Sequence, residues 1–374
     1  MTTSSRVRMV PFFDYPRLFK DHEEEFVSIF RNVAGRGAFI LQSDLVDFEN
    51  QLRSYLGVKH AFGVANATDA LIIALRAAGL QPGDEVIFCS HTFVATAAAI
   101  HFAGGVPVPV DCGPDHLIDP PSVEKAVSPR TKAIMPTQLN GRAADMDALQ
   151  TIADRYGLWI VEDSAQGLGA KFKGRFAGTF GKAGPYSFYP AKILGCFGDG
   201  GALVTDDDAV AEKISLLREH GRGTDGLVQV WGLNSRLDNL QAAWLGFQFK
   251  YYDETVARRR KIAARYQQHL AGLSALALPP APHSDPRHFD VYQNYEIEAE
   301  RRDALKAFLR DHGVGTLIQW GGRAVHQFPA LNLKASLPST ERMFTRCLML
   351  PMNPMLLDED VDYVCEKLHE FYQK

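Results

Sequence analysis

The sequence predicts an α/β protein: a large domain on a mostly parallel sheet with helices on both faces, then a smaller α+β C-terminal domain. Three observations carry this expectation. Short apolar runs bounded by Gly, Pro and Asp recur through the first half of the chain. Helical patterns separate them, as in β-α-β units whose strands are buried on both faces. The chain has 374 residues, which is long for one core and suits a large domain with a smaller companion. The expected division puts residues 1–250, including an N-terminal arm, in the first domain and 251–374 in the second.

Taken in order, Ser43–Leu56 reads as a helix with Ser43 placed to cap it, and Ala67–Ala78 as a helix stopped by Gly79. Val86–Cys89, Val106–Val110, Lys132–Pro136 and Leu158–Glu162 read as strands, with a helix at Met146–Tyr156 before the last. Val210–Glu219 and one long stretch, Leu237–Tyr266, read as helices. Inside the latter, Arg258-Arg259-Arg260-Lys261 is expected to be a solvated helix turn. Pro279-Pro280-Ala281-Pro282 interrupts the chain. Beyond it, Asn294–Glu298 and Gly315–Gln319 read as strands, and Arg302–His312 and Asp358–Tyr372 as helices.

Composition excludes several classes. Apolar residues make up 46% and charged residues 22%, values of a globular chain rather than a disordered one. A net charge of −4 argues against a nucleic-acid partner. The five cysteines form no C-x-x-C pair and are odd in number, so neither a disulfide framework nor a zinc site is expected, and a reducing cytoplasm fits. Met1–Asp14 lacks the apolar core of a signal peptide. The most apolar stretch, Val94–Ile100, is far shorter than the ~20 residues of a membrane span, so no membrane partner is expected.

In a sheet of this kind ligands sit beyond the C-terminal ends of the strands, and four segments there carry chemistry. Asp163 follows Leu158–Glu162; a carboxylate there can hold a proton on a heteroaromatic nitrogen, as pyridoxal phosphate requires, or simply cap a loop. Lys192 follows Tyr186-Ser187-Phe188-Tyr189-Pro190-Ala191 and precedes Gly195, Gly198, Gly200 and Gly201. A lysine drawn out of water loses pKa and becomes a nucleophilic amine, though a surface lysine in a glycine-rich hairpin reads the same way. Ser187 could offer its hydroxyl to a phosphate. Asn66-Ala67-Thr68-Asp69 leads into a helix whose first N–H groups can bind a phosphate, or merely be capped. Phe93, after Val86–Cys89, can stack on a ring or join the core.

These segments, "GVANATDALIIAL", "HTFVATA", "TKAIMPTQLNGR", "VEDSAQGLGA", "YSFYPAKILGCFGDGGALVT" and "NSRLDNLQAA", resemble the sugar-nucleotide aminotransferases of the DegT/StrS group. The resemblance runs from about Val10 to Phe371 and implies the fold type I architecture of pyridoxal-phosphate (PLP) transferases. It implies that Lys192 holds the cofactor as a Schiff base and shuttles protons, and that Asp163 pairs with the pyridinium nitrogen. Gln166 would approach the 3-hydroxyl. Thr68, Asp69 and Ser187 would hold the phosphate, the first two mainly by backbone N–H, and Phe93 would stack on the ring. Asn234 would reach the phosphate in a neighbouring subunit, giving a homodimer with shared sites, and Arg236 would help bind substrate. The family takes an amino group from glutamate and gives it to a ketone on a nucleotide-linked deoxysugar. Asp69 and the "NSRLDNLQAA" segment point to C3 of the sugar, against C4, an aminocyclitol, an eight-carbon keto sugar or a PLP-binding regulator. The sequence departs from the family pattern at Thr316–Gln327, where Gln319 stands at the usual histidine position. There Trp320 and His326 are candidates for substrate contact, or for a packed ring and a capping imidazole.

Overall fold

The computed structural model describes residues 8–373, so the reading of Met1–Asp14 lies partly outside the described residues. The strands are β1 (His60–Val64), β2 (Glu85–Cys89), β3 (Val106–Val110), β4 (Thr131–Met135), β5 (Trp159–Ile160), β6 (Lys171–Phe172), β7 (Arg175–Phe176), β8 (Gly184–Ser187), β9 (Gly201–Thr205), β10 (Leu276–Ala277), β11 (His288–Phe289), β12 (Tyr295–Ala299) and β13 (Cys347–Leu350).

Four of them form a parallel sheet in the order β3-β2-β4-β5. Strands β1, β9 and β8 form an antiparallel trio. Backbone hydrogen bonds from Lys182 to Ile160, Glu162 to Ala183 and Ser164 to Pro185 run it on from the edge of β5. Successive side chains of the parallel strands enter different cores. Ile87, Cys89 and Ile134 pack with Phe48, Leu149 and Phe172, while Val86, Phe88, Ala133 and Met135 pack with Leu71, Ile100 and Leu203. Burial on both faces explains why these strands read as continuous apolar runs rather than alternating ones.

A third core gathers Ile262, Tyr266, Tyr295, Ile297, Leu305, Leu348, Val364 and Leu368, closed by Val10 from the N-terminal arm. Its sheet, β10-β12-β13, is antiparallel.

Several expectations are corrected. Ser43 is the first helical residue rather than the cap; Gln42 precedes it and makes no side-chain capping bond. The capping acceptor comes from far along the chain, where Asn239 Oδ1 takes the Leu45 N–H at 2.9 Å. The stretch Leu237–Tyr266 is two helices, Asn239–Phe249 and Tyr252–Leu270. Between them the chain turns so that buried Tyr252 can donate its hydroxyl to Leu168 O at 2.7 Å. The basic run is not a solvated face: Arg259 is buried and donates to Tyr292 O at 3.0 Å and Gln293 O at 3.1 Å, while Arg258 pairs with Asp358 at 2.5 Å. Gly315–Gln319 makes only an isolated bridge, Leu317 to Met349, and then a 3-10 turn, Gln319–Gly322.

Candidate active site

The ends of β4, β5 and β8 open onto a cavity of about 470 Å³. Lys192, Asp163, Gln166, Thr68, Ser187, Phe93, Gln319 and Trp320 all line it. Residues as far apart in sequence as Thr68 and Trp320 thus converge where a parallel sheet presents its strand ends.

Lys192 is held from both sides. The buried amide of Gln293 donates to Ala191 O at 2.7 Å and accepts the Ile193 N–H at 2.9 Å, and the Lys192 N–H closes a turn onto Tyr189 O at 2.8 Å. The backbone around the amine is therefore fixed while Nζ faces the cavity. Burial lowers the Lys192 pKa to about 8, with nearby Asp163 working against the shift. Arg259 completes the support by holding the carbonyls of Tyr292 and Gln293.

Asp163 is buried and bridges Thr137 in parallel register. Burial pushes its carboxyl upward; the Thr96 hydroxyl, the Ala165 N–H and Lys192 oppose this. Thr96 Oγ1 donates to Asp163 Oδ2 at 2.6 Å, and Thr92 Oγ1 lies 2.7 Å from Thr96 and 3.0 Å from Thr137. This buried hydroxyl chain escaped the sequence reading. Its trace was a threonine inside the otherwise apolar Val94–Ile100 stretch. Directly before Asp163, Glu162 is fully buried and takes Gln138 Nε2 and the N–H groups of Gly178, Phe180 and Gly181 at 2.6–2.9 Å.

At the helix Ala67–Ala77, Asn66 is the cap, and its Oδ1 takes the Asp69 N–H at 2.8 Å. Asp69 N–H is therefore spent, and the Asp69 side chain does not line the cavity. The Ala67 and Thr68 N–H groups remain in the first turn, where the helix supplies no acceptor. Gly201 lets β9 reach this turn: a Cβ there would lie 2.6 Å from Asn66 C. Phe93 is 52% exposed at the start of the next helix, with its ring centroid 6.4 Å from that of Trp320.

Besides Asp69, three predicted residues are not brought to the cavity of this chain. Asn234 is exposed and lies outside it, and Arg236 is paired with Glu219 at 3.0 Å. His326 is buried between Ser90 Oγ at 2.7 Å and Glu341 at 3.1 Å, so its imidazole is held by two side chains away from the cavity.

The DegT/DnrJ/EryC1/StrS aminotransferase family model matches residues 20–369. The chain belongs to this family. It is similar to a dTDP-3-amino-3,4,6-trideoxy-alpha-D-glucose transaminase of Streptomyces venezuelae, with 40% identity over 100% of this chain and 99% of that protein. It is also 41% identical to a pleiotropic regulatory protein of Geobacillus stearothermophilus, over 97% of this chain and 99% of the relative. A solved structure of S. venezuelae DesV in complex with a ketimine intermediate superposes with a TM-score of 0.93 and 40% identity, covering 98% of this chain and 99% of that one. The chain is thus a PLP-dependent aminotransferase with the fold of that enzyme class. The residues present fit the cofactor: an amine of lowered pKa, a buried carboxylate, open helix N–H groups and an exposed ring share one cavity.

Proposed function

We propose that this aminotransferase moves an amino group from glutamate to a nucleotide-linked keto-6-deoxyhexose, at C3 of the sugar, in amino-sugar or antibiotic-sugar biosynthesis in the cytoplasm. The carrying observation is the single cavity in which Lys192 and Asp163 meet a wall of uncharged amides, Gln293, Asn294 and Gln319, beside Trp320, with Asn140 bonded to two of these amides from behind. Neutral amides and a ring suit a hydroxyl-bearing sugar. The 3-amino product named for the S. venezuelae relative supports C3.

PLP, when bound, supplies the electron sink for the amino-group exchange. Asp163 would keep a proton on the pyridine nitrogen, with Thr96 holding the carboxylate in place. Lys192 would hold the cofactor and, through Nζ, carry a proton between neighbouring substrate atoms. The Ala67 and Thr68 N–H groups and Ser187 would receive the phosphate, Phe93 would cover the ring, and Gln166 would serve the 3-hydroxyl.

Residues 1–250 and 251–374 act as two domains that close the cavity between them. A second copy completes the site. The hairpin of residues 219–234 carries Leu227, Val228, Val230 and Trp231, the last 90% exposed, and ends at Asn234, a pattern that supports a homodimer. Arg236, next to that hairpin, serves the shared site.

Adding glutamate to the holoenzyme is expected to bleach the visible cofactor band, and a panel of keto sugars then to restore it, fastest with a 3-keto acceptor. A band that no amino donor changes would overturn the reading. The pleiotropic regulatory relative supports a second reading as a PLP-binding regulator; DNA affinity at low salt without transamination would favour it.

A further inference from the structure

We propose that Asn140, oriented by Glu296, is a positioning residue that turns Gln319 so that its carbonyl oxygen meets a hydroxyl of the sugar. This rests on the proposed sugar aminotransferase and names how the sugar end of the same cavity is read.

The argument starts from groups whose hydrogen-bonding sense is fixed. His116 places Nδ1 3.1 Å from Glu296 Oε1 and Nε2 3.1 Å from Glu298 Oε1. Both ring nitrogens face carboxylate oxygens, so both donate and the ring is an imidazolium. His91 stands on the same carboxylate, with Nε2 3.4 Å from Glu296 and Nδ1 donating to His116 O at 2.8 Å. Glu298 is further held by Arg342 at 2.9 Å and Arg346 at 3.2 Å. Burial works against the charge on His116, but the two glutamates outweigh it and push its pKa up to about 9. Glu296, almost fully buried among these partners, is ionised and can only accept.

That one-way acceptor sets the amides in turn. Asn140 must offer Nδ2 to Glu296, at 3.3 Å, which turns its Oδ1 toward Asn294 and Gln319. Both then must donate to it, Asn294 Nδ2 at 2.8 Å and Gln319 Nε2 at 2.8 Å. Gln319 is left with its oxygen for the cavity it lines. Flipping any one of these amides would set like poles against each other in a buried place, which costs more than the bond it would replace.

The backbone of Asn140 fixes Gln166 independently: its N–H, which can only donate, meets Gln166 Oε1 at 2.9 Å and leaves the Gln166 N–H₂ for the cavity. Asn140 reaches all these partners because it is left-handed, with φ 55° and ψ 15°, a conformation Asn tolerates better than most residues. The turn is pressed close: a Cβ on Gly141 would lie 2.6 Å from Gln293 N.

The test uses holoenzyme and a dTDP-linked 3-amino-3,6-dideoxyhexose, run in reverse against 2-oxoglutarate. Asn140→Gly keeps the left-handed turn and its N–H but removes the side-chain amide; Glu296→Gln keeps shape but removes the one-way acceptor. Each is expected to raise the KM for the sugar about tenfold, with kcat within about threefold, as for other residues that orient a contacting group. The cofactor spectrum and its bleaching by glutamate stay as in the wild type. In a Gln319→Ala background, Asn140→Gly is expected to add nothing, because both act through one contact. An unchanged sugar KM in Asn140→Gly, or additive losses in the double variant, overturns the proposal. If Glu296→Gln does not fold, Asn140→Gly alone decides. A wild-type cofactor band that ignores glutamate would instead sink the underlying reading of the function.

Discussion

The two walls of the cavity are built in different ways. On the cofactor side, each group stands at the end of a regular element: Asp163 just past β5, Thr68 in the first turn of a helix, Lys192 beyond β8. On the sugar side, Asn140 and Trp320 stand on 3-10 turns, both with positive φ, and Gln319 beside them is held by the amide of Asn140. Backbone geometry aims the first set. The second set aims itself, side chain against side chain. Changes on the cofactor wall should therefore harm cofactor binding and turnover, and changes on the sugar wall should harm recognition while leaving the bound cofactor as it was.

The largest effect that could break this contrast is at Lys192. Lys192→Ala is expected to lower turnover by at least about 10⁴-fold, with circular dichroism unchanged, because it removes the group that acts directly on the reacting atoms. Residual activity near wild type would end the assignment. The pH dependence of cofactor uptake by apoenzyme comes next. The free amine is the reactive form and its pKa is about 8. The uptake rate should thus fall about tenfold per unit below that pH and level off above it. A rise that continues toward the pKa of an ordinary lysine would show that Nζ is solvated.

On the other wall, Trp320→Ala should raise the sugar KM about tenfold while leaving cofactor retention intact in a dialysis assay. Loss of cofactor would erase the distinction between the walls. The smallest effect expected is Thr96→Val, which removes the hydroxyl on Asp163. It should lower kcat about fivefold and shift the pH at which the bound cofactor's visible band titrates, with Thr96→Ser restoring both. A shift in sugar KM alone would place Thr96 in the wrong wall.

The same contrast explains what the sequence could reveal. Asp163, Lys192, Phe93 and Thr68 were legible because strand ends and helix starts leave local patterns in apolar spacing and caps. The core strands β2, β3 and β4 were legible for the same reason. Asn140, Asn294 and Gln293 were not, because their role exists only once residues more than a hundred positions apart are in contact. Gln319 and Trp320 were noticed only as a departure from a resemblance. Strand β13 and the burial of Arg259 were missed on similar grounds: Cys347–Leu350 is short, and a run of four basic residues looks solvated until Tyr292 and Gln293 present their carbonyls to it. His326 read as a sugar contact or a capping imidazole, and its ring is instead held by Ser90 and Glu341.

The cap on the helix Ser43–Leu56 has a consequence for how the protein is made. Its acceptor, Asn239, lies 194 residues downstream of the Leu45 N–H it receives. At roughly 5–20 residues per second, a ribosome needs about 10–40 s to supply it. For that interval the Leu45 N–H has only the local Gln42 carbonyl, at 3.1 Å, as an acceptor from the chain already made. The step that finishes one of the earliest helices to be synthesised therefore waits on the arrival of one of the later ones.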